Sequence, residues 1–370
     1  MALQTYTVSY SLASTPGTIV TLSNVVSFAM KCGREKQLDD YSADTAQLVI
    51  RYPTGYASPI TGLVPGSLIR VKHDASNEFV YAGYISGVSV NYGIPYAGGV
   101  GNADFINISC ESYYARFGRL QGFNQAISGG TFTTVATDIG TYSSLTINPQ
   151  TNAATQVVSA SNVVNTYGEW LSQYIRTING RMAQAAAVIV YGPGDIVASS
   201  ASFSDTANDA TNQVYDNIQF SAFGDNYYTQ VTVTPTAVAA QTVQSGSAPY
   251  RSLNFNTFSS SVANAQNLAN FMLSQYSTTD VQISSISCLS EAQNTFKLNN
   301  MGVPTALLIG MQVPIKFRGT TYYGIIEGYA MTATPESSRW TYYISGASLN
   351  STLILNDTVF GKLGTGKLGY

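Results

Sequence analysis

The sequence predicts a mainly β fold of the α+β class, in which antiparallel strands dominate and two helices interrupt them. Apolar and polar residues alternate along most of the chain, and Val, Ile, Thr and Tyr are abundant there, as in half-buried strands. Clusters of Gly, Asn, Pro and Asp separate these segments and predict turns. A length of 370 residues allows two or three domains with a sizeable core.

The clearest strand signals lie in residues 25–30, 46–50 and 231–234. Two segments show helical spacing instead. The first is 165–180, with Gly180 where a C-terminal cap would stand. The second is 259–276, where a serine of 259–261 can cap the start. The two apolar faces consist of Trp170, Leu171, Tyr174, Ile175 and Ile178, and of Ala265, Leu268, Ala269, Met272 and Tyr276.

Charged residues make up only 10% of the chain, and the net charge is −3. Polar side chains and 26 Tyr must therefore cover the surface, a composition typical of protein interfaces or of secreted β proteins. The basic footprint of a nucleic-acid-binding protein is missing. The start MALQTYTVSY has no cationic segment followed by an apolar stretch, so no signal peptide is predicted. The longest apolar run, Ala185–Tyr191, is too short to cross a bilayer.

Three cysteines, Cys32, Cys110 and Cys288, lie far apart in the sequence. Their spacing fits neither a zinc site nor a disulfide framework. We expect each to be a small buried side chain. The chain is therefore interpreted as a soluble, reduced protein made in the cytoplasm, which can later enter a larger assembly.

A long internal repeat organises the chain. The first copy contains GSLIRVK (66–72) and YAGYISG (81–87), and the second contains GMQVPIK (310–316) and YYGIIEG (322–328). Both copies predict a strand with an outward lysine, a turn of variable length, and a return strand with glycines at every fourth residue. Such glycines, together with bulges, suit the curved wall of a small β-barrel. We interpret the repeat as one supersecondary unit used twice.

A duplicated unit is useful for building a ring. Three chains with two units each provide six similar positions, so a trimer can stack on a hexameric ring and present threefold symmetry on its other side.

The chain resembles the tail hub, or minor tail, proteins of long-tailed bacteriophages over nearly its whole length. The segments that carry the resemblance are 25–53 (VVSFAMKCGREKQLDDYSADTAQLVIRYP), 65–87, 168–195, 215–236, 264–288 and the final 351–370 (STLILNDTVFGKLGTGKLGY). The turn at Gly33-Arg34 matches the opening of the family, whereas YPTGYASP (52–59) departs from its usual Asn-Asp-Gly turn. The resemblance implies a homotrimer with two tail-tube-like β-barrels, located at the virion tail tip between the distal tail ring and a fibre or spike.

The resemblance and the repeat together divide the chain into five parts. Residues 1–112 are expected to form the first barrel, 113–212 a helix-plus-hairpin domain, and 213–245 with 281–348 the second barrel. Residues 246–280 are expected to form an inserted helical segment, and 349–370 a C-terminal arm. The barrels would enclose a channel for the tape measure protein and for passing DNA, which a lining poor in Lys and Arg would not bind specifically.

Several stretches of the sequence partly match enzyme or ligand-binding motifs. GKLGTGKL (Gly361–Leu368) resembles a phosphate loop but has Leu368 where Ser or Thr must hold magnesium. His73, the only histidine, falls at the predicted turn of the first repeat and is expected to be a solvated loop residue. The stretch Asp205–Asp216 lacks the glycine and glutamate of a helix-loop-helix calcium site and is expected to be a loop, which leaves a calcium site of another type as the alternative. We therefore expect no catalytic, cofactor-binding or metal site.

Scattered carboxylates and tyrosines leave alternatives open. Asp39–Asp40, Glu111 and Glu169 could belong to a polysaccharide hydrolase only if two of them shared a cleft. The doublets Tyr113–Tyr114, Tyr227–Tyr228 and Tyr342–Tyr343 are expected on strands, with one ring inside and the other available for subunit contact or sugar stacking. A carbohydrate-binding receptor protein of the tail tip and a secreted hydrolase therefore remain as alternatives to the tail hub.

Overall fold

The fold of the chain is mainly β with a few helices, as the sequence predicts. The computed structural model describes residues 3, 6–12, 14–15, 17–52, 63–74, 78–93, 104–184, 187–195, 199, 202–206, 212–221, 227–277, 282–290 and 309–346. The strands of these residues are β1 (Tyr6–Ser11), β2 (Val20–Thr21), β3 (Val25–Gly33), β4 (Thr45–Tyr52), β5 (Leu68–His73), β6 (Glu78–Asn91), β7 (Asp104–Glu111), β8 (Gln125–Ile127), β9 (Gly130–Thr131), β10 (Ile147–Pro149), β11 (Val157–Val158), β12 (Ser161–Val163), β13 (Arg181–Gln184), β14 (Val188–Tyr191), β15 (Ser202–Ser204), β16 (Asn212–Val214), β17 (Asn217–Ser221), β18 (Gln230–Pro235), β19 (Gln241–Gln244), β20 (Ser252–Thr257), β21 (Gln282–Ser290), β22 (Gln312–Phe317), β23 (Thr320–Ala333) and β24 (Ser338–Ser345). The helices are α1 (Tyr114–Arg119), α2 (Phe132–Ser143), α3 (Thr151–Thr155), α4 (Tyr167–Thr177) and α5 (Val262–Tyr276).

One large sheet of fourteen strands contains both copies of the repeat. Its first half runs in the order β3-β4-β7-β6-β5-β1, and neighbouring strands are antiparallel throughout. This half curls back on itself near the beginning of β3. There the Leu22 N–H donates to the Val8 carbonyl (2.8 Å) and the Leu3 N–H donates to the Val25 carbonyl (2.8 Å).

The second half of the large sheet repeats this order with β17-β21-β24-β23-β22, again antiparallel. Beyond β22 it differs from the first half, because β15 lies parallel to β22, whereas β1 lies antiparallel to β5. The two halves join where β23 pairs antiparallel with β3, from Gly328↔Gly33 to Ala333↔Phe28.

The two repeat copies have matching registers from Leu68 to Val71 and from Gln312 to Ile315, although the first hairpin has a further bulge before Lys72. Val71 faces Tyr81 in the first hairpin, and Ile315 faces Tyr322 in the second. The register shifts by one residue between Ile85 and Gly87 opposite β7, and between Ile326 and Gly328 opposite β24.

The turns that open both hairpins also match. Gly66 has φ +90° and Gly310 has φ +91°. The N–H of each glycine donates at 2.8 Å to the carbonyl of its bulge isoleucine, Ile85 or Ile326. Together with the matching bulges, these turns indicate that the two hairpins are the same local structure.

Three apolar clusters stabilise the described residues. The largest lies along the large sheet and includes buried residues of both halves, such as Leu48 and Trp340. The second is built mainly by α1, α2, α4 and the strand pair β13–β14. The third unites the small sheet β19-β18-β20 with α5, through Val231, Phe255 and Ala269 among others. The predicted boundary at residues 245/246 lies within this third unit.

Both predicted helices form close to their expected limits. The Thr166 hydroxyl accepts the Glu169 N–H at the start of α4, and the Ser261 hydroxyl accepts the Asn264 N–H at the start of α5. At the end of α4, Asn179 has the left-handed conformation (φ +49°), while the Gly180 N–H donates to the Ile175 carbonyl. The cap expected at Gly180 is thus shared with Asn179.

Helices α1, α2 and α3 were missed by sequence reasoning. Helix α2 carries threonines with low intrinsic helix propensity. In the structure, Thr137, Thr141 and Ser143 each donate to the carbonyl four residues earlier. Phe132, Val135 and Ile139 are fully buried. Tertiary packing therefore outweighs the local preference here.

Candidate functional site

The seam between the two halves of the large sheet is the candidate functional site, because three regions of the chain meet there. At this seam β3 and β23 approach closely at two glycines. A Cβ on Gly33 would lie 2.5 Å from the Glu327 carbonyl oxygen, and a Cβ on Gly328 would lie 2.5 Å from that of Cys32. Glycine at both positions therefore allows the strands to pair beside the bulge of β23.

Glu327, the residue inside this bulge, is fully buried between two arginines. Its carboxylate accepts from the guanidinium of Arg34, which follows β3, at 2.8 and 2.9 Å. It also accepts from Arg181 of β13, at 2.8 and 3.2 Å, and from the Ser345 hydroxyl. The ring of Tyr41 lies 4.7 Å from the Arg34 guanidinium carbon. The site thus joins both halves of the sheet to the helix-containing region.

The electrostatics of Glu327 follow from these contacts. Burial alone would raise the pKa of its carboxyl, but Arg181 and Arg34 outweigh burial and lower the pKa to about 2. Because removing one partner leaves a buried charge unpaired, such an arrangement is sensitive to substitution of any member.

A second buried carboxyl, Asp44, lies next to the seam. It accepts the Gly33 N–H at 2.8 Å, and its own N–H donates to the Gln184 side chain at 2.9 Å. Burial raises the pKa of Asp44 to about 7, although the hydrogen bond from Gly33 acts in the opposite direction. Asp44 therefore changes charge near neutral pH inside the seam.

The segment between β3 and β4 extends the contacts outward. The Tyr41 hydroxyl accepts the Met182 N–H at 3.0 Å. The Gln37 amide donates to Asn179 at 3.0 Å and accepts from the Tyr276 hydroxyl at 3.1 Å, which links the ends of α4 and α5. Sequence reasoning noted Arg34 only as part of a turn and did not identify the cluster. The available signal was Glu327 itself, a charged residue where the first repeat copy has Ser86.

The carboxylates considered as candidate hydrolase residues form ion pairs and hydrogen bonds with neighbouring groups. An open cleft of about 580 Å³ is lined by both Asp40 and Glu169. Asp40 forms an ion pair with Arg176, and Glu169 accepts from the Asn165 amide at 2.7 Å. Asp39 accepts the Lys36 N–H at 2.9 Å, and Glu111 forms an ion pair with Arg119.

His73 corrects a sequence expectation. It is not a solvated loop residue but the last residue of β5, 2% exposed, with its ring 5.3 Å from that of Tyr6. Burial lowers its pKa, and Asp74 acts in the opposite direction. The three cysteines are free and buried, as predicted.

The tyrosine doublets follow the prediction only in part. Tyr342 is buried on β24 while Tyr343 is half-buried, as an alternating strand requires. Tyr113 and Tyr114 instead lie at the start of α1, and both are buried. Tyr227 and Tyr228 precede β18 and are half-buried.

The remaining motifs fall wholly or partly outside the described residues. This holds for Gly361–Leu368, for the arm 349–370 and for the centre of the calcium-like stretch, 207–211. At the ends of that stretch, Asp205 accepts the Arg318 N–H (2.6 Å) and Asp216 pairs with Arg339 (2.7 Å). Within the described part of the chain, no group of three or more His, Cys, Asp or Glu residues could hold a metal ion. None of the helices described there is long and apolar enough to span a membrane.

Comparison with known proteins shows what this fold is similar to. No family model and no curated protein sequence matches the chain. The 43 kDa tail protein of prophage MuSo2 from Shewanella oneidensis has a TM-score of 0.65 at 12% identity, covering 93% of this chain and 99% of that protein. A tail protein from Neisseria meningitidis MC58 has a TM-score of 0.61 at 11% identity, covering 92% and 97%.

A third similar structure is the prophage tail protein gp18 from Listeria monocytogenes EGD-e, with a TM-score of 0.55 at 10% identity and coverage of 94% and 95%. These likenesses span almost the full length of each protein, so they include both halves of the large sheet and the helices between them. The chain therefore has the fold of phage and prophage tail proteins, the family that its sequence resembles.

Proposed function

We propose that the protein is a structural component of a phage or prophage tail, a homotrimeric hub assembled in the bacterial cytoplasm and placed at the tail tip. The observation that carries this proposal is the joining of two equivalent hairpin units in one chain by β3–β23 pairing. Three such chains supply six similar units for contact with a sixfold tube or distal tail ring, and threefold symmetry for a fibre or spike. The likeness to tail proteins over their full length supports the same role.

In this proposal each half of the large sheet is a tube-like barrel, and the helix-containing parts are inserted domains. The small sheet β18–β20 is grouped with α5, since they share one apolar cluster. The barrels surround a channel for the tape measure protein and DNA. The buried Glu327 cluster has the structural role of fixing both barrels to the helical domain, and no enzymatic activity is assigned to it.

The test is the mass of the full-length protein in solution, followed by its location in purified particles. Light scattering should give three times the chain mass of 39.5 kDa. An antibody label should lie at the junction of tube and tip in electron micrographs. A monomer that binds or cleaves polysaccharide in a glycan panel would instead support the receptor or hydrolase alternatives.

A further inference from the structure

The second half of β6 is an unpartnered copy of the strand segment that forms the seam inside the chain. In β23, residues 328–333 pair with β24 on one side and with β3 on the other. Their equivalents are residues 87–92, of which 87–91 belong to β6 and pair only with β7 among the described residues. In the part of the chain that the structure describes, the hairpin unit therefore has a filled edge in its second copy and an open edge in its first.

Side chains at the end of β6 are more exposed than their equivalents in β23. Tyr329 and Met331 of β23, which lie between β24 and β3, are 4% and 1% exposed. Their equivalents in β6 are Val88, which is 37% exposed, and Val90, which is half-buried. At the end of the segment, Tyr92 is 67% exposed. An alternating apolar face of this kind on a sheet edge is a site for another strand.

The partner edge is present in the same chain. Strand β17 holds in the second half the place that β3 holds in the first, since β3 pairs with β4 and β17 pairs with β21. The outer edge of β3 pairs with β23. The outer edge of β17 pairs with no described strand. Ile218 and Phe220 of β17 are only half-buried, while the equivalent Phe28 and Met30 are 0% and 4% exposed.

Both open edges lack the features that protect the edge strands of monomeric proteins. Neither GVSVNY (87–92) nor NIQFS (217–221) contains a charged residue or a proline, which are the usual means of preventing edge-to-edge pairing. In addition, a Cβ on Gly87 would meet nothing within 4 Å, whereas one on the equivalent Gly328 would strike β3. No described residue therefore occupies the space beside Gly87 that β3 fills beside Gly328.

We propose that the free edge formed by residues 89–92, at the end of β6, pairs antiparallel with residues 218–221 of β17 in a second copy of this chain, in the register of the internal seam. The seam pairs Thr332 with Ala29, so the equivalent residues Asn91 and Gln219 face each other between chains. Because the two edges differ, the contact is head-to-tail, and such contacts build either a ring or an open filament. The proposed hub requires the ring. The number of three chains in this ring rests on the proposed function.

Disulfide cross-linking of the full chain tests the register. The double variant Asn91→Cys with Gln219→Cys should form covalent species up to three chains on a non-reducing gel, because facing residues of paired strands are within disulfide reach. The matched positive control is Thr332→Cys with Ala29→Cys, which should close within one chain. The negative control, Asn91→Cys with Gln244→Cys, places the second thiol on β19 and should yield no such ladder.

A charge placed on the edge at Ser89 tests the same contact independently. Ser89 is exposed and faces Ser221 in the proposed register, so Ser89→Lys should leave the circular dichroism spectrum unchanged and weaken self-association by roughly tenfold or more, whereas Ser86→Lys, at an exposed serine before the paired segment, should have no effect. A stable wild-type trimer that neither cross-links at Asn91 and Gln219 nor responds to Ser89→Lys would overturn this contact and leave the hub proposal intact. A cross-linked ring of another size would support the contact and overturn the trimer, and a wild-type monomer would overturn both.

Discussion

Glu327 keeps its negative charge in the interior because two guanidinium groups face it. Desolvation of an isolated carboxylate is costly, and only close, hydrogen-bonded counter-charges offset that cost. Arg34 and Arg181 come from different regions of the chain, so the carboxylate is satisfied only when β3, β13 and β23 are all in position. At the residue scale, the cluster therefore couples the correct docking of three regions to the placement of one side chain.

Glu327→Gln should destabilise the protein by about 3–5 kcal/mol, because it leaves two arginines buried without their counter-ion. The measurement is chemical unfolding followed by tryptophan fluorescence at neutral pH. As a control, Glu111→Gln breaks a largely exposed pair with Arg119 and should cost less than about 1 kcal/mol. Equal effects of the two substitutions would contradict the structural role assigned to the cluster.

Asp44 should make stability depend on pH in the neutral range. Its pKa in the folded protein is about 7, above the ordinary value of 3.8, so between these values the folded state holds a proton that the unfolded state has lost. Stability from this group is complete below pH 4 and declines as pH rises towards 7. Asp44→Asn should therefore gain stability relative to wild type between pH 5 and 8, by about 2–3 kcal/mol. A constant difference in unfolding free energy across that range would refute this expectation.

At the scale of elements, the hairpins and the two amphipathic helices could be predicted, but the short helices could not. The repeat was visible because its glycines and alternating apolar residues recur with the same spacing in both copies. Helix α2 could not be predicted because its threonines favour strands locally, and its helical state depends on the packing of Phe132 and Ile139. The bulges were expected only in general terms, since their position is set by β7 and β24 across the sheet.

Gly328→Ala should destabilise the pairing of β3 and β23. A Cβ there would lie 2.5–2.8 Å from backbone atoms of Cys32 and Arg34, and backbone cannot move aside as a flexible side chain can. We expect a loss of at least about 2 kcal/mol in unfolding free energy. The control Gly118→Ala adds a Cβ in open space within α1 and should be neutral or slightly stabilising.

At the scale of the whole molecule, the general architecture could be predicted from the sequence, but the seam between β3 and β23 could not. Composition and the repeat indicated a β-rich assembly protein with little charge on its surface. The seam required knowledge that residues near 33, 181 and 327 meet, which no local pattern contains. The small sheet β18–β20 was missed as a unit because its three strands are separated by turns and owe their grouping to α5.

The proposed assembly should tolerate salt. The two edges that join neighbouring chains contain no charged side chain, so screening of ions removes little attraction, and apolar contacts are not weakened by added salt. Sedimentation of the wild-type protein in 0.1 M and 1 M NaCl (about 10 and 3 Å Debye length) should show the same association state. Dissociation at high salt would instead point to an interface made by the scattered ion pairs.

The residue inside the bulge differs between the two units: Glu327 is held by two guanidinium groups, whereas Ser86 is exposed and donates to the Ser109 carbonyl. In a closed ring of such chains, interfaces that contain a buried ion-pair cluster would alternate with interfaces that lack one. Any dilation of the pore would then begin at the interfaces without the cluster, at every second position around the ring. The pore would therefore widen with threefold rather than sixfold symmetry.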